Sequence, residues 1–288
     1  MASRDDLISV FEDTEKWYKT DADLKEAIKA SIQGTKIYME GDTFYDTPDL
    51  LKHRDAKAKV FVSKHKTLEA ALLIHHKYPE AKVAIHNFAS ATNPGGGVKK
   101  GSRAQEECLC RTTTLYPVLD TENNWKRYYK FHRARHNQIY TDACIYTPGI
   151  IAMKTDDDLP RRMAKEDWMK LDVLTCAAPN LRKRPSNAMN SAPGKPIRMA
   201  DVDLLALHEK RARHLLSVAA LNGADILILG AFGCGAFQNK PEVVAKAYAS
   251  VLPDFLRQFQ VIEFAVYCTP RDTRNYVAFY NTLSRLVR

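Results

Sequence analysis

Long apolar runs, paired cysteine motifs and internal repeats are all missing from this 288-residue sequence. No apolar stretch approaches the roughly 20 residues that span a bilayer, so we expect no membrane span and no membrane partner. The N-terminal segment MASRDDLISVFEDTEKW is acidic and interrupted, whereas a signal peptide needs a basic start and a continuous apolar stretch. We therefore expect a cytoplasmic protein, or a nuclear one if the source is eukaryotic.

Metal-binding patterns are also scarce. The six cysteines form no CxxC pair, and a chain of this length buries a core without disulfides, so we expect reduced thiols. Cys108 and Cys110 would make half of a zinc site, but no second pair follows at zinc spacing. His132 and His136 are spaced to share one helix face, and without an HExxH pattern we interpret them as a surface pair. No metal site is expected.

The charge is unbalanced toward the positive. Lysine and arginine number 43 against 34 acidic residues, a net charge of +9, which favours anionic partners such as nucleic acid, phosphorylated metabolites or anionic lipid. Residues 126–136 and 181–198 are strongly basic, and each is either a solvated face or a binding surface. No nucleic-acid-binding motif accompanies them, so direct nucleic-acid binding is the weakest of these alternatives.

Apolar runs of strand length alternate with helical patterns along the chain. This alternation predicts an α/β protein whose largely parallel or mixed sheet is covered on both faces. A further helix should begin near Ser102, where Ser102-x-x-Gln105 has the form of a capping box. Residues 179–199 should form a long loop. The other predicted helices are 5–33 with a break at residues 20–21, 67–78, 200–223, 241–256 and 275–286; the predicted strands are 35–39, 57–65, 82–88, 144–153, 171–178, 225–230 and 261–268.

Glycine is infrequent, yet six of the 12 glycines fall in two loops. ATNPGGGVKK (91–100) and GAFGCGAFQN (230–239) each follow a predicted buried strand and precede a helix. Ligands of open α/β sheets bind at the carboxyl ends of the strands, where free backbone N–H groups favour phosphate. Neither loop has the spacing of a dinucleotide or nucleoside-triphosphate motif. Either loop alone is typical of a tight turn, but together they predict a diphosphate held between them.

Two adjacent glutamates, Glu106 and Glu107, follow the first glycine loop. Neighbours on a helix diverge by about 100°, so we expect one to act as an acid or base and the other to orient a substrate hydroxyl or hold the loop. A helix N-terminus lowers a carboxyl pKa, whereas burial beside a second carboxylate raises it. The sequence leaves the balance open, and two solvated glutamates in a first-turn region remain an alternative.

These motifs together carry a resemblance. The stretch NFASATNPGGGVKKGSRAQEECLCRTTTLYP (87–117) closely resembles the signature of microbial-type poly(ADP-ribose) glycohydrolases, in which GGG and a short spacer precede QEE. AAPN (177–180) and GAFGCGAFQN resemble the later strand end and the diphosphate loop of that family, so the resemblance covers roughly residues 35–288. It implies hydrolysis of ribose–ribose O-glycosidic bonds in poly(ADP-ribose), with release of ADP-ribose and without a metal or organic cofactor.

The fold that the resemblance implies is a macrodomain-like three-layer α/β/α sandwich with a mixed central sheet and an N-terminal helical accessory region. We expect residues 1–80 to form the accessory region, helical with one or two strands and packed on the core. Residues 81–288 would form the macrodomain-like catalytic core.

The resemblance also assigns roles by position. Glu107 would be the catalytic acid and base, Glu106 would hold ribose hydroxyls, and Gln105 would brace the glycine loop. Many macrodomains have asparagine where this chain has Ser90, so Asn87 or Asn93 would share its ribose contact. The other expected contacts are Gly95, Gly96, Gly97 and Val98 around the distal ribose and its phosphate, Gly233, Cys234, Gly235 and Ala236 at the diphosphate, and Phe237 at the proximal ribose.

Two other functions share this fold. One is a reader that binds ADP-ribose without turnover, and the other is a hydrolase of a mono-ADP-ribosyl linkage or of a small NAD-derived molecule. The intact QEE favours a hydrolase, since a reader does not need the carboxylate pair. The expected partners are poly(ADP-ribose) or ADP-ribosylated macromolecules, with ADP-ribose as product, and the basic runs would attract such a polymer less strongly as salt increases.

Overall fold

A computed structural model describes residues 2–42, 54–186, 195–284 and 286. Strands and helices alternate there much as the hydrophobic pattern predicts. The strands are β1 (Lys36–Tyr38), β2 (Lys59–Ser63), β3 (Val83–Phe88), β4 (Cys144–Ala152), β5 (Met169–Cys176), β6 (Ile226–Leu229) and β7 (Val261–Ala265). The helices are α1 (Arg4–Thr20), α2 (Ala22–Gly34), α3 (Thr67–Lys77), α4 (Gln105–Thr112), α5 (Leu115–Leu119), α6 (Glu122–Asn124), α7 (Lys130–Ala134), α8 (Asp201–Leu221), α9 (Pro241–Val251) and α10 (Arg274–Leu283).

The seven strands form one mixed sheet in the order β1-β4-β5-β3-β6-β7-β2. β3 pairs in parallel with β5 and β6, and β7 pairs in parallel with β6 and β2. β4 runs antiparallel to both of its neighbours, β1 and β5. The parallel strands therefore deliver their carboxyl ends, and the loops that follow them, to the same edge of the sheet.

Helices cover both faces of the sheet, which confirms the predicted α/β/α sandwich. One apolar core joins the sheet to α8, α9 and α10 through side chains such as Leu215, Val244 and Phe279. The core on the opposite face includes Phe11 of α1 and Leu109 of α4. The strands between the two cores are buried on both faces, which explains why they are continuous apolar runs rather than alternating ones.

The N-terminal helices pack against elements that carry the site. Thr14 of α1 donates to the carbonyl of Arg111 in α4 over 2.6 Å. Lys154, just after β4, donates to the Val10 carbonyl and pairs with Asp13, both at 2.8 Å. β1 and β2 belong to the same sheet as the later strands. The sheet thus joins residues on both sides of position 80, and the proposed division into residues 1–80 and 81–288 stays a prediction.

The predicted surface pair of histidines is wrong. His132 is buried, and its ring nitrogens lie 2.9 Å from the Tyr128 carbonyl and 2.8 Å from the Thr141 hydroxyl. The segment Trp125–Tyr129 between α6 and α7 is π-helical, and it turns Tyr128, Tyr129 and His132 into the protein. Of these two histidines, only His136 is exposed. Within the described ranges, no cluster of three or more His, Cys, Asp or Glu side chains is arranged to hold a metal ion.

A buried ion pair connects α8 to the segment before β4. The Arg211 guanidinium is 2% exposed; its Nε donates to Asp142 Oδ1 over 3.0 Å and its Nη1 to the Ala177 carbonyl over 2.9 Å. It also donates to the Ile139 carbonyl. The Arg211 side chain therefore joins α8 to the segment before β4 and to the segment that follows β5.

We expect Asp142→Ala to lower the free energy of unfolding by about 3–5 kcal/mol, because it leaves the Arg211 charge buried without a counter-charge. Urea denaturation measures this change. Lys165→Ala, which breaks an exposed ion pair with Asp23, is the control and should leave the free energy nearly unchanged. Equal losses in the two variants would contradict the structural role of the buried pair.

Candidate active site

A cavity of about 400 Å³ opens at the carboxyl ends of the parallel strands. This is the edge where the two glycine loops were predicted to meet a ligand. Residues from the ends of β3, β6 and β7 and from the start of α4 form its wall. Among them are Phe88, Ser90, Gln105, Glu106, Glu107, Ala231, Gly233, Gly235, Ala236, Phe237, Val266 and Tyr267.

Glu106 is buried in the first turn of α4. Its carboxylate accepts hydrogen bonds from the Ser90 backbone N–H over 2.7 Å and from Asn87 Nδ2 over 3.4 Å. Burial, together with the neighbouring Glu107 carboxylate, raises the pKa of Glu106 well above its usual value despite these donors. Of the two opposing effects that the sequence left open, burial outweighs the helix N-terminus at this position.

Glu107 presents its two oxygens differently. Oε1 accepts a hydrogen bond from the Gly97 backbone N–H over 2.9 Å. Oε2 is buried and has no hydrogen-bond partner in the part of the chain that the structure describes. The side chain lies in the cavity wall and is 6% exposed. One oxygen is thus fixed to the glycine loop while the other keeps its hydrogen-bonding capacity for a ligand or a proton.

The first glycine loop touches both carboxylates with its backbone. Gly95 and Gly96 have φ angles of 65° and 56°, in the left-handed region that other residues rarely adopt. A Cβ at Gly96 would lie 2.5 Å from Glu107 Oε1 and 3.1 Å from Glu106 Oε2. Glycine is therefore needed here for close approach as well as for conformation. Val98, which follows, is 1% exposed and packs into the core.

The predicted capping box at Ser102 and Gln105 is wrong. α4 begins at Gln105 with Ala104 as its N-cap, and no side chain caps it. Gln105 instead accepts from the Phe88 N–H over 2.8 Å and donates to the His86 carbonyl over 2.6 Å and to Thr67 over 3.1 Å. Its side chain joins α4 to β3 and α3, because the carboxyl end of β3 extends past its pairing with β6 and has backbone groups that need partners.

The three polar residues expected near the ribose occupy different environments. Ser90 lies in the cavity wall. Asn87 is fully buried, and its Nδ2 donates to Thr175 as well as to Glu106. Asn93 accepts a hydrogen bond from Arg133 outside the cavity wall. The structure therefore brings Ser90 to the cavity and uses Asn87 to hold Glu106.

The Asn239 side chain fixes the second glycine loop through hydrogen bonds to backbone carbonyls. Its Nδ2 donates to the Pro179 carbonyl over 2.8 Å and to the Gly233 carbonyl over 3.1 Å, and His208 Nε2 lies 2.9 Å from its Oδ1. Gly233 has a φ of 74°, and a Cβ there would lie 2.5 Å from the Ala178 Cβ. At Gly235, by contrast, a Cβ would meet no described atom within 4 Å. The backbone of this loop therefore faces open cavity at Gly235.

Of Cys234 and Phe237 in that loop, only Phe237 is part of the cavity wall. Phe237 lines the cavity. The Cys234 thiol donates to the Phe232 carbonyl over 3.6 Å and packs against the core, where burial raises its pKa. Any contact of Cys234 with a ligand would therefore come from its backbone.

Lys66, Asp156, Arg182 and Tyr267 are among the cavity-wall residues that the sequence did not identify as site residues. Lys66 Nζ lies 3.8 Å from Asp156 Oδ1 and donates to the Asp156 carbonyl over 2.6 Å, and burial raises the pKa of Asp156 to about 6. Tyr267 could have been found near the carboxyl end of a predicted buried strand, and Arg182 as part of a basic loop. The pairing of Lys66 with Asp156 joins positions 90 residues apart and has no local signal.

Fold and site together define a macrodomain-like protein. In its site, a pair of buried glutamates lies beside a glycine loop of the kind that binds phosphate. Residues 11–155 match the family described as microbial-type PARG, catalytic domain, where PARG is poly(ADP-ribose) glycohydrolase. The chain belongs to this family, as the GGG…QEE resemblance predicted, and it is therefore a glycosidase.

Solved structures agree with this assignment. The chain is similar to PARG from Deinococcus radiodurans in complex with ADP-ribose, with 30% identity over 91% of this chain and 98% of that chain and a TM-score of 0.74. It is also similar to PARG from Thermomonospora curvata, with 28% identity over 96% and 98% and a TM-score of 0.80. The Thermomonospora enzyme bound to the inhibitor ADP-HPD matches at 28% identity over 96% and 98%, with a TM-score of 0.76. No curated protein sequence matches.

The described helices include none that is both long and apolar enough to cross a membrane.

We expect Glu106→Gln to reduce the loss of stability between about pH 4.5 and 7.5. Because the pKa of Glu106 in the folded protein lies above the unfolded value of about 4.3, the folded state holds its proton longer, and the free energy of unfolding falls as pH rises. Glutamine removes this contribution. Urea denaturation at both pH values measures it, with the exposed Glu26→Gln on α2 as control. Identical pH dependence in wild type and Glu106→Gln would contradict the raised pKa.

Proposed function

We propose that the chain releases ADP-ribose from poly(ADP-ribose) with Glu107 as the general acid and base. The observation that carries this proposal is the asymmetry of the Glu107 carboxylate. Gly97 fixes Oε1, and Oε2 has no partner among the described residues. A carboxyl group held in this way can deliver a proton from one oxygen without reorienting.

Hydrolysis would proceed in two proton transfers. Protonated Glu107 gives its proton to the ribose oxygen that leaves, while the bond between that oxygen and the anomeric carbon breaks and leaves an oxocarbenium-like sugar. The Glu107 carboxylate then takes a proton from the water that attacks the anomeric carbon, which restores the acid. The Glu106 carboxyl group, which the Ser90 N–H holds in place, would hold ribose hydroxyls.

The cavity would hold one ADP-ribose unit. A volume of about 400 Å³ lies within the range of small-molecule sites, and two of the similar structures named above contain ADP-ribose or ADP-HPD. The diphosphate would lie against the backbone from Gly233 to Ala236, where Gly235 leaves space. Phe237 and Tyr267 would offer aromatic faces to the ribose and the base.

The natural substrate would be poly(ADP-ribose) itself or an ADP-ribosylated macromolecule that carries it. All six cysteines are free thiols, which fits an intracellular compartment, and we propose the cytoplasm, or the nucleus if the source is eukaryotic. No metal or organic cofactor takes part in the proposed steps.

We expect Glu107→Gln to release ADP-ribose from poly(ADP-ribose) about 10²–10⁴-fold more slowly than wild type, because glutamine neither donates the proton nor activates water. Release is measured by chromatography, and binding of free ADP-ribose by calorimetry, which should detect binding to both proteins. Glu26→Gln, an exposed acid on α2, should retain wild-type release. Equal rates for wild type and Glu107→Gln would refute the assignment, and binding without release by either would indicate a reader.

We expect Gly235→Ala to weaken ADP-ribose binding at least about tenfold while leaving the free energy of unfolding unchanged. The added Cβ meets no described atom in the protein, so any loss of affinity comes from the space that the diphosphate would occupy. Calorimetry and urea denaturation measure the two quantities. Gly233→Ala is the comparison, and it should lose stability as well, because its Cβ collides with Ala178. Unchanged affinity in Gly235→Ala would place the diphosphate elsewhere.

A further inference from the structure

Two basic segments that are far apart in the sequence meet beside the cavity. One runs through the π-helical turn and α7, and the other follows β5. Their cations are exposed, apart from the half-buried Arg182. We call this set the basic rim: Lys126, Arg127, Lys130, Arg133, Arg135, Arg182, Lys183 and Arg184.

Backbone and side-chain hydrogen bonds join the two segments. The Asn180 N–H donates to the Gln138 carbonyl over 2.8 Å, and Asn180 Nδ2 lies 3.3 Å from Gln138 Oε1. Both residues are 1% exposed. The two halves of the rim are therefore held together by a buried contact and are not independent surface stretches.

Each half of the rim is also attached to the site. Arg133 Nε donates to the Thr92 carbonyl over 2.8 Å, within the first glycine loop. Arg182 lines the cavity, and the N–H of the preceding Leu181 donates to the Phe237 carbonyl over 3.0 Å. The positive surface therefore begins at the cavity wall and extends outward from it.

The two segments of the rim contain no acidic residues of their own. Residues 125–141 and 177–186 contain no aspartate or glutamate. Within the described part of the chain, the ion pairs with carboxylates involve other cations, such as Lys154, Arg162 and Arg213, and none of the rim cations. Arg133 instead lies over the Trp125 ring, 4.8 Å from its centroid. Eight cations without a described ion-pair partner, on two segments held together by a buried contact, make a surface suited to a polyanion.

We propose that the basic rim binds the part of poly(ADP-ribose) that lies outside the cavity. This inference rests on the proposed function. The cavity accommodates about one unit, so the rest of a polymer held there must lie on the adjoining surface, and each unit brings two phosphates. RNA would satisfy the same charges, but Arg182 lines the cavity and Arg133 binds the first glycine loop, and this position of the rim favours the polymer that the cavity processes.

The test compares binding of long poly(ADP-ribose) by proteins that all carry Glu107→Gln, so that the polymer is not consumed. The rim variant adds Lys126→Ala, Lys130→Ala and Arg184→Ala, which avoids Arg133 and Arg182 because they touch the loop and the cavity. The matched control adds Lys25→Ala, Lys29→Ala and Lys246→Ala, three exposed cations on α2 and α9. Circular dichroism checks that both variants remain folded. The affinity of each variant for free ADP-ribose is measured as a reference.

We expect the rim variant to bind the polymer about tenfold more weakly at low salt, with ADP-ribose affinity unchanged. The slope of log affinity against log salt should become shallower by about 0.7 for each phosphate that the variant no longer neutralises. Equal polymer binding by rim and control variants would overturn the proposal. So would a single-stranded RNA of equal phosphate number that displaces the polymer from the rim at lower concentration. Failure of wild type to release ADP-ribose would instead refute the proposed function, because these binding measurements do not require turnover.

Discussion

Two backbone hydrogen bonds, from Gly97 to Glu107 and from Ser90 to Glu106, determine how the rest of the site is built. They hold a pair of adjacent carboxylates in a buried position where their mutual repulsion is costly. Such donors can reach the carboxylates only if the chain approaches them without a side chain in between. This requirement explains why glycines with left-handed backbone precede α4. It also explains why the carboxyl end of β3 lies against the first turn of α4.

Support for the acid pair extends well beyond the cavity. Arg111 in α4 is 1% exposed; its Nη1 donates to the Ser102 carbonyl over 2.6 Å, and its own carbonyl accepts from Thr14. The spacer between the glycine loop and the acids is thereby fixed to α4, and α4 is fixed to α1. The N-terminal helix contributes to the geometry of the site although none of its residues lines the cavity.

Most of the fold could be predicted, because buried parallel strands and amphipathic helices leave local patterns. β6 and β7 are continuous apolar runs, and Pro241 at the start of α9 marks a helix N-terminus. The glycine loops and the acid pair also have local signatures. Gln105 resembled a capping residue because its spacing from Ser102 fits the motif, but its partners lie on β3 and α3. Tertiary contacts of this kind, like the inward turn of His132 by a π-helical segment, depend on distant residues and leave no trace in a short window.

The position of β2 at the sheet edge has a consequence for synthesis of the chain. Among the described strands it pairs with β7 alone, and the side-chain hydrogen bond from Ser63 to Glu263 spans 200 residues. At ribosomal rates of about 5–20 residues per second, β2 waits about 10–40 s for that partner to be made. During this interval its apolar residues, among them Val60, and its free backbone groups are available to other nascent chains. The growing polypeptide should therefore need chaperone protection until the last strand leaves the ribosome.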